Sequence, residues 1–234
     1  MTDEHHTTTD AGAVPASTDG QTTDGQPSGV VETGIESLDR KLDGGFPTGS
    51  IIAVAARPAS QSELVLGEFI DGRTVSYLTV ERHPDTITRY HDARNLAREE
   101  IAVHRLDGDE PLVEAHRIID DLNEPTVIVI DPIRSLERQP ESAFIEFYHA
   151  LTEYVVEADS IAYLHCLVGP ESTAHRELTL YLADGVILLE TDTGGERVET
   201  TLCIPKLRGG EPLEEVIKLD LSGEVDVDVT RKIA

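Results

Sequence analysis

The sequence contains no tryptophan, and cysteine, methionine and lysine are scarce. Its two cysteines, Cys166 and Cys203, stand singly inside apolar runs, without a CxxC spacing or a cysteine–histidine cluster. This pattern predicts buried thiols rather than a disulfide or a metal pair. The nine histidines include no HExxH-like pair, so we expect no metal site.

Long apolar runs are also missing. The longest, at residues 126–130 and 186–189, are far shorter than the roughly 18 residues that a membrane-spanning helix needs. The N-terminus is acidic and polar, whereas a secretory signal is basic and then apolar. We therefore expect no membrane association and a cytoplasmic location.

Positive charge is scarce as well. The 234 residues include 45 Asp and Glu but only 19 Lys and Arg, for a formal net charge of −26. No segment forms a basic stripe. This argues against nucleic-acid binding, and therefore against an accessory protein of DNA recombination. Such acidity is typical of halophilic proteins, since molar salt shortens the Debye length to about 3 Å and screens repulsion between carboxylates. A merely acidic protein is the alternative.

Hydrophobic pattern divides the chain into a tail and one domain. Residues 1–30 carry almost no large apolar side chains and predict a disordered acidic and polar tail. Residues 31–234 predict a single domain. Its β-branched apolar runs predict strands at 51–55, 75–80, 101–106, 126–131 and 161–167. Helical patterns lie between them at 60–69, 84–97, 111–122 and 142–157.

Strands that alternate with helices predict an α/β fold with a mainly parallel central sheet covered on both faces. The last third differs, since the runs at 185–190, 198–204 and 216–221 are joined by turn signals without a helical pattern. These runs predict antiparallel C-terminal strands on the same sheet.

The segment TGIESLDRKLDGGFPTGS, at residues 33–50, resembles the opening of KaiC-like ATPases of the RecA superfamily. The matching positions are Thr33, Gly34, Leu38, Asp39, Leu42, Gly44, Gly45, Pro47, Gly49 and Ser50. The segments LADGVILLE and IPKLRGGEP, at 182–190 and 204–212, resemble the closing strands of that family. The resemblance covers roughly residues 31–234 and implies a RecA-like three-layer sandwich.

The phosphate-binding loop of that family, GxxxxGK[ST], is replaced here by a degenerate sequence. The corresponding residues are Ala56, Arg57, Pro58, Ala59, Ser60, Gln61, Ser62 and Glu63. Gln61 replaces the glycine that admits phosphate, Ser62 replaces the lysine, and Glu63 replaces the hydroxyl ligand of magnesium. A carboxylate at that position repels a triphosphate.

Two interpretations of this loop remain open. Ser60 and Glu63 have the spacing of a capping box, in which each side chain accepts a hydrogen bond from the other residue's amide. The loop would then be an ordinary strand-to-helix connection. Alternatively, Arg57 supplies a phosphate contact in an unusual nucleotide loop.

Other positions of the resemblance are partly retained. Asp131 matches the Walker B aspartate and Glu81 the first of two catalytic glutamates, so both are vestigial candidates for holding magnesium and water. The alternative is that Asp131 merely caps the next turn. Lys206 and Arg208 match residues that reach a neighbour's nucleotide across a subunit interface, or else pair with the acidic surface. His165 is expected to be a satisfied strand-end histidine without a role.

These features predict a non-hydrolysing RecA/KaiC-like regulatory or scaffolding protein, a pseudoenzyme that needs no cofactor. The expected partner is another protein or a second copy of the chain. The alternative is a weak or atypical ATPase or signalling switch of the KaiC-like family, with ATP and magnesium as cofactors.

Overall fold

The computed structural model describes residues 29–94, 101–106, 110–169, 173–195, 198–213, 215–221 and 225–228. The tail predicted over residues 1–30 therefore lies outside the described residues, apart from its last two. Within the described ranges, no helix is both long and apolar enough to cross a bilayer.

Strands and helices alternate through the first two thirds of the chain. The strands are β1 (Val30–Val31), β2 (Phe46–Pro47), β3 (Ser50–Ala56), β4 (Val75–Thr79), β5 (Ile101–Arg105), β6 (Val127–Ile130), β7 (Ile161–Leu167), β8 (Gly185–Asp192), β9 (Glu199–Leu207), β10 (Ile217–Asp220) and β11 (Asp226–Val227). The helices are α1 (Glu36–Asp39), α2 (Ser62–Ile70), α3 (Pro84–Arg94), α4 (Pro111–Asp120), α5 (Glu141–Glu157) and α6 (Arg176–Leu182), and a 3-10 helix spans Ile133–Ser135.

Nine of these strands form one sheet in the order β11-β10-β9-β8-β3-β7-β6-β4-β5. The strands from β8 to β5 in this order pair in parallel, whereas β8, β9, β10 and β11 pair antiparallel along the chain. The predicted α/β class, with a mainly parallel sheet and antiparallel C-terminal strands, is confirmed. Strands β1 and β2 form a separate antiparallel pair.

Alternation along β3 divides the core into two layers. Ile52 and Val54 pack on the side of α1, α2 and α3, whereas Ile51 and Ala53 pack on the side of α4 and α5. This follows from the two-residue period of a strand. The result is a three-layer sandwich of helices, sheet and helices, as a RecA-like fold requires.

The predicted helices form, with differences at their ends. Helix α5 has the predicted apolar face, with Phe144 and Leu151 among its fully buried residues. Helix α2 begins at Ser62, two residues later than predicted, and α6 was not predicted at all. The last residues predicted for α3 lie outside the described residues.

The N-terminal motif has a structural role that requires no nucleotide. The Thr33 amide donates to the Asp39 carboxylate at 2.6 Å. Gly34 has φ +79°, and a Cβ there would lie 2.4 Å from the carbonyl oxygen of Glu68 in α2. Gly45 has φ +133°, and its Cβ would lie 2.1 Å from the Val31 carbonyl oxygen. Only glycine permits these close backbone approaches.

The two cysteines differ in their exposure. Cys166 is buried as predicted, and burial raises the pKa of its thiol to about 12. Cys203 is only partly buried, so the prediction of a buried thiol was wrong there. It lies on β9 between Leu202 and Ile204, which take the core-facing side, and strand alternation turns Cys203 to the opposite face.

Candidate functional site

The parallel strands all end at one edge of the sheet, and that edge holds the candidate residues. Strand β3 ends at Ala56 and leads through a short loop into α2. Glu81 follows β4, Asp131 directly follows β6, and His165 lies two residues before the end of β7. In open α/β sheets this edge, outside the carboxyl ends of the strands, is the usual place for a ligand.

The loop between β3 and α2 is a tight turn closed by Ser60. The Ser60 amide and hydroxyl both donate to the Arg57 carbonyl oxygen, at 3.0 and 2.7 Å. The residue at the N-cap of α2 is Gln61, and no side chain caps that end. The predicted capping box was therefore wrong, because α2 begins too late for Ser60 to accept from the amide of Glu63.

The first residue of α2 contacts β7. The Ser62 hydroxyl lies 2.9 Å from His165 Nε2 and 3.1 Å from the Ser60 hydroxyl. Ser62 and His165 expose only 3% and 1% of their surface, so this contact is made away from solvent. Ser62, which the resemblance aligns with the phosphate-loop lysine, thus contacts a neighbouring strand.

Asp131 completes the cluster. His165 Nδ1 lies 2.5 Å from Asp131 Oδ1, and the Tyr77 hydroxyl donates to Oδ2. Arg82 Nε lies 3.5 Å from the same Oδ2. Burial alone would raise the pKa of Asp131, but the hydrogen bond and charge of His165, followed by Arg82 and Tyr77, lower that pKa below its ordinary value. Asp131 is therefore a buried carboxylate with both oxygens engaged.

Tyr77 serves this cluster as a donor. Burial, followed by the negative charge of Asp131 and the hydrogen bond to it, raises the Tyr77 pKa well above its ordinary value. The phenol therefore keeps its proton and donates it to Oδ2. Hydrogen bonds thus join four side chains in the order Ser62 of α2, His165 of β7, Asp131 after β6 and Tyr77 of β4.

Glu63 and Arg82 form an outer layer over this chain. Their side chains approach to 3.8 Å and are 36% and 39% exposed, so the pair is loose. Glu81 lies nearby, held by Arg134 through bonds of 2.5 and 2.8 Å and by the Ser135 hydroxyl at 3.3 Å. Its carboxylate is directed to the 3-10 helix.

The loop residues Arg57, Pro58, Ala59 and Gln61 are exposed and lie outside this cluster of hydrogen bonds. Ala56, the last residue of β3, is buried. Of the predicted residues, Ser62 and Asp131 thus belong to one cluster, in which His165 joins them. Glu63, also predicted, lies with Arg82 at the surface of this cluster. In the part of the chain that the structure describes, the Arg57 side chain makes no hydrogen bond or ion pair with a residue of this cluster.

Lys206 and Arg208 cap the C-terminal end of α6 in the same chain. Lys206 Nζ donates to the carbonyl oxygens of Leu180 and Tyr181 at 3.0 and 2.7 Å. Arg208 donates to the carbonyls of Tyr181 and Leu182, at 3.2 and 3.1 Å, and lies 3.4 Å from an oxygen of Asp184. Cations at this end of a helix satisfy its orphan carbonyls.

Sequence reasoning missed the joint role of His165 and Tyr77. Strands β6 and β7 pair in parallel with Ile130 opposite Leu164, so the next residues, Asp131 and His165, are neighbours. Knowledge of this strand pairing would have predicted the contact between Asp131 and His165. The order of strands in a sheet, however, is not encoded in any local sequence pattern. His165 is indeed satisfied, at both ring nitrogens.

Comparison with known proteins identifies relatives of the fold. A solved structure, that of a KaiC-like protein, PH0186, from the hyperthermophilic archaeon Pyrococcus horikoshii OT3, matches with a TM-score of 0.69 and 19% sequence identity. The match covers 86% of this chain and 99% of that protein. At this identity it shows the fold, which is RecA/KaiC-like. No curated protein matches the sequence significantly. Residues 30–234 match a family of unknown function, DUF7125, and the chain belongs to that family.

Proposed function

We propose that this protein is a regulatory or scaffolding module with a RecA/KaiC-like fold, which binds another protein or a second copy of itself and neither binds nor hydrolyses a nucleotide. The observation that carries the proposal is the engagement of Asp131. Its two carboxylate oxygens accept from His165 and Tyr77, and Arg82 lies against one of them. A magnesium ion at this aspartate would have to displace these partners.

The beginning of α2 also argues against a triphosphate. Ser62 occupies the lysine position, and its hydroxyl contacts His165 instead of projecting as a cation. Glu63 brings a negative charge to the first turn. Gln61 has a side chain where glycine would let the backbone approach phosphate. The donors and charges that remain are therefore unsuited to magnesium nucleotide.

The hydrogen bonds of Glu81 argue against a catalytic role for this residue. A glutamate that orients attacking water must leave an oxygen for that water. Both oxygens of Glu81 accept from Arg134, and the Ser135 hydroxyl shares one of them. This arrangement gives Glu81 a structural role in joining the ends of β4 and β6, which supports the loss of hydrolysis.

The surface around α6 supports binding to another protein. Tyr181 is 71% exposed, and Lys206 Nζ lies 5.9 Å from its ring centre. Tyrosine and arginine side chains, here Tyr181 and Arg208, are enriched in protein interfaces. In KaiC-like proteins the positions of Lys206 and Arg208 face a neighbouring subunit, so this surface is the proposed contact for a partner or a second copy.

Calorimetric titration with ATP and magnesium in molar KCl tests the proposal. We expect no heat of binding, and no phosphate release above a blank without protein. Saturable ATP binding with phosphate release that Asp131→Ala abolishes would support the alternative, a weak ATPase of the KaiC-like type. Sedimentation of the parent and Tyr181→Ala over a concentration series tests self-association through the α6 surface.

A further inference from the structure

Ser62, His165 and Asp131 are arranged as a nucleophile, a base and a positioning carboxylate. The Ser62 hydroxyl lies 2.9 Å from Nε2, and Asp131 Oδ1 lies 2.5 Å from Nδ1 of the same ring. A carboxylate at Nδ1 holds the imidazole proton on that nitrogen, which leaves the lone pair of Nε2 to accept the hydroxyl proton. Serine activation in acyl-transfer enzymes has this order of groups on several unrelated folds.

The start of α2 offers donors for a single negative charge on a substrate oxygen, which the adjacent Glu63 carboxylate opposes. Ser62 is the first residue of α2, a nine-residue helix, so the amides of Ser62 and Glu63 have no acceptor within the helix, whereas the Leu64 amide donates to the Gln61 carbonyl oxygen at 3.0 Å. The positive end of the helix dipole lies there too. The guanidinium of Arg82 is close by, 3.5 Å from Asp131 and 3.8 Å from Glu63. The amides can donate to the oxyanion that forms when serine attacks a carbonyl, and Arg82 offsets the charge of Glu63.

We propose that Ser62 is a nucleophile that His165 activates, and that the site cleaves short-chain carboxylic esters. Ser62 Oγ bonds to the carbonyl carbon while its proton passes to His165 Nε2. The bond from that carbon to the alcohol oxygen then breaks, and the leaving alcohol takes the proton from Nε2. Water attacks the acyl-serine in the same way and releases the carboxylic acid and the free hydroxyl.

Access of a substrate to Ser62 would require the neighbouring Glu63 and Arg82 side chains to move. The serine is nearly fully buried, whereas these two are each more than a third exposed and joined only at 3.8 Å. Rotation of two long surface side chains is a fast motion. Because Ser62 exposes only 3% of its surface, we expect a small ester to reach it more readily than a bulky one. This activity does not involve a nucleotide, so it is independent of the proposed function.

A fluorophosphonate probe tests the nucleophile directly. Attack by Ser62 Oγ on phosphorus forms a P–O bond and expels fluoride, and mass spectrometry of the digested protein locates the adduct. We expect one adduct, on Ser62, and a burst of p-nitrophenol from p-nitrophenyl acetate. Ser62→Ala should abolish both, whereas Ser37→Ala, a hydroxyl change remote on α1, should leave both unchanged.

The roles of the two partners have separate tests. Asp131→Asn should slow labelling by about 10,000-fold, and Asp131→Glu, which keeps the carboxylate, should recover part of that rate. Added imidazole should restore labelling of His165→Ala in part, because it can supply the missing base. Circular dichroism identifies variants that remain folded. An unlabelled Ser62 in the folded parent, or equal labelling of Asp131→Asn and the parent, would overturn the proposal, and ATP titration is unaffected by either result.

Discussion

Glu137 and Arg176 form a bidentate ion pair inside the protein. Arg176 donates from Nε and from a terminal nitrogen to the two carboxylate oxygens of Glu137, each at 2.7 Å. Glu137 has no exposed surface and Arg176 only 7%. The hydroxyls of Thr173 and Thr179 donate to the same carboxylate, and Arg176 also donates to the Leu167 carbonyl. The pair thereby joins α6 to the turn after the 3-10 helix, and the bond from Arg176 to Leu167 joins α6 to the end of β7.

Removal of one partner from this pair should strongly destabilise the protein. We expect Glu137→Ala to lower the free energy of unfolding by about 3–5 kcal/mol, because the Arg176 charge is left buried without its counterion. Glu153→Ala, an exposed glutamate on α5, should change it by less than about 0.5 kcal/mol. Urea denaturation of both variants in the same molar salt gives the comparison, and similar losses would contradict the buried pair.

The same pair should make stability depend on pH. Burial opposes ionisation of Glu137, but the hydrogen bonds from Arg176, Thr173 and Thr179 and the Arg176 charge lower its pKa in the folded protein. A lowered pKa contributes stability that is fully present above the unfolded value, about 4.3. The contribution is lost as pH falls through the lower, folded-state value. The difference in unfolding free energy between the parent and Glu137→Gln should therefore shrink only in acid.

The fold was predictable from the sequence because its strands have clear patterns. Residues 51–56 are buried on both faces and read as a continuous apolar run, which is typical of a central parallel strand. Helix α6 was missed for the opposite reason. In RELTLYL the leucines at 178, 180 and 182 alternate with a period of two, as in a strand, over only seven residues. Arg176 and Thr179 of this helix donate to Glu137, a contact that the local sequence does not show.

The candidate site was only half predictable. Asp131 and Ser62 stood out through their positions in the family resemblance, but the histidine between them is separated from Asp131 by 34 residues. That contact depends on β6 and β7 being neighbours in the sheet. The prediction of a capping box was wrong because the spacing of Ser60 and Glu63 is not sufficient. The helix must also begin directly after the serine, and α2 begins at Ser62.

The close backbone approach at Gly45 gives a third prediction. Gly45→Ala should destabilise the protein by more than about 2 kcal/mol, because its Cβ would lie 2.1 Å from the Val31 carbonyl oxygen and φ is +133°. Gly72→Ala is the matched control. Gly72 also has positive φ, +72°, but nothing lies within 4 Å of its Cβ, so only the backbone cost of about 1 kcal/mol applies. Equal thermal midpoints for the two variants would refute the steric argument.

Three substitutions distinguish the observed loop from a capping box. Ser62→Ala should cost about 1–3 kcal/mol of unfolding free energy, since it leaves buried His165 Nε2 without its partner. Ser60→Ala should cost about 0.5–1.5 kcal/mol through the lost bond to Arg57. Glu63→Ala should cost less than about 1 kcal/mol, because Glu63 makes only a loose surface pair. A larger loss in Glu63→Ala than in Ser62→Ala would favour the capping box.

Introduction of a phosphate-loop sequence tests whether residues 61–63 account for the proposed absence of nucleotide binding. The triple variant Gln61→Gly, Ser62→Lys, Glu63→Thr supplies the glycine, the cation and the hydroxyl that a phosphate loop needs. It should bind ATP in calorimetry where the parent does not, with little dependence on magnesium, because Asp131 stays bonded to His165 and Tyr77. The nucleotide-free variant should also be less stable, because Ser62 is 3% exposed and a lysine there is buried beside His165.

A second triple variant, with alanine at all three positions, separates the removal of side chains from the gain of phosphate ligands. It deletes Glu63's charge and the Ser62 hydroxyl but supplies no cation, so it should lose stability without gaining affinity for ATP. If both triple variants bind ATP equally, charge repulsion by Glu63 was the barrier. If neither binds, the barrier lies at Asp131, because its carboxylate still contacts Tyr77, His165 and Arg82. Adding Tyr77→Phe to the first triple variant, which removes one of these hydrogen bonds, is then the decisive test.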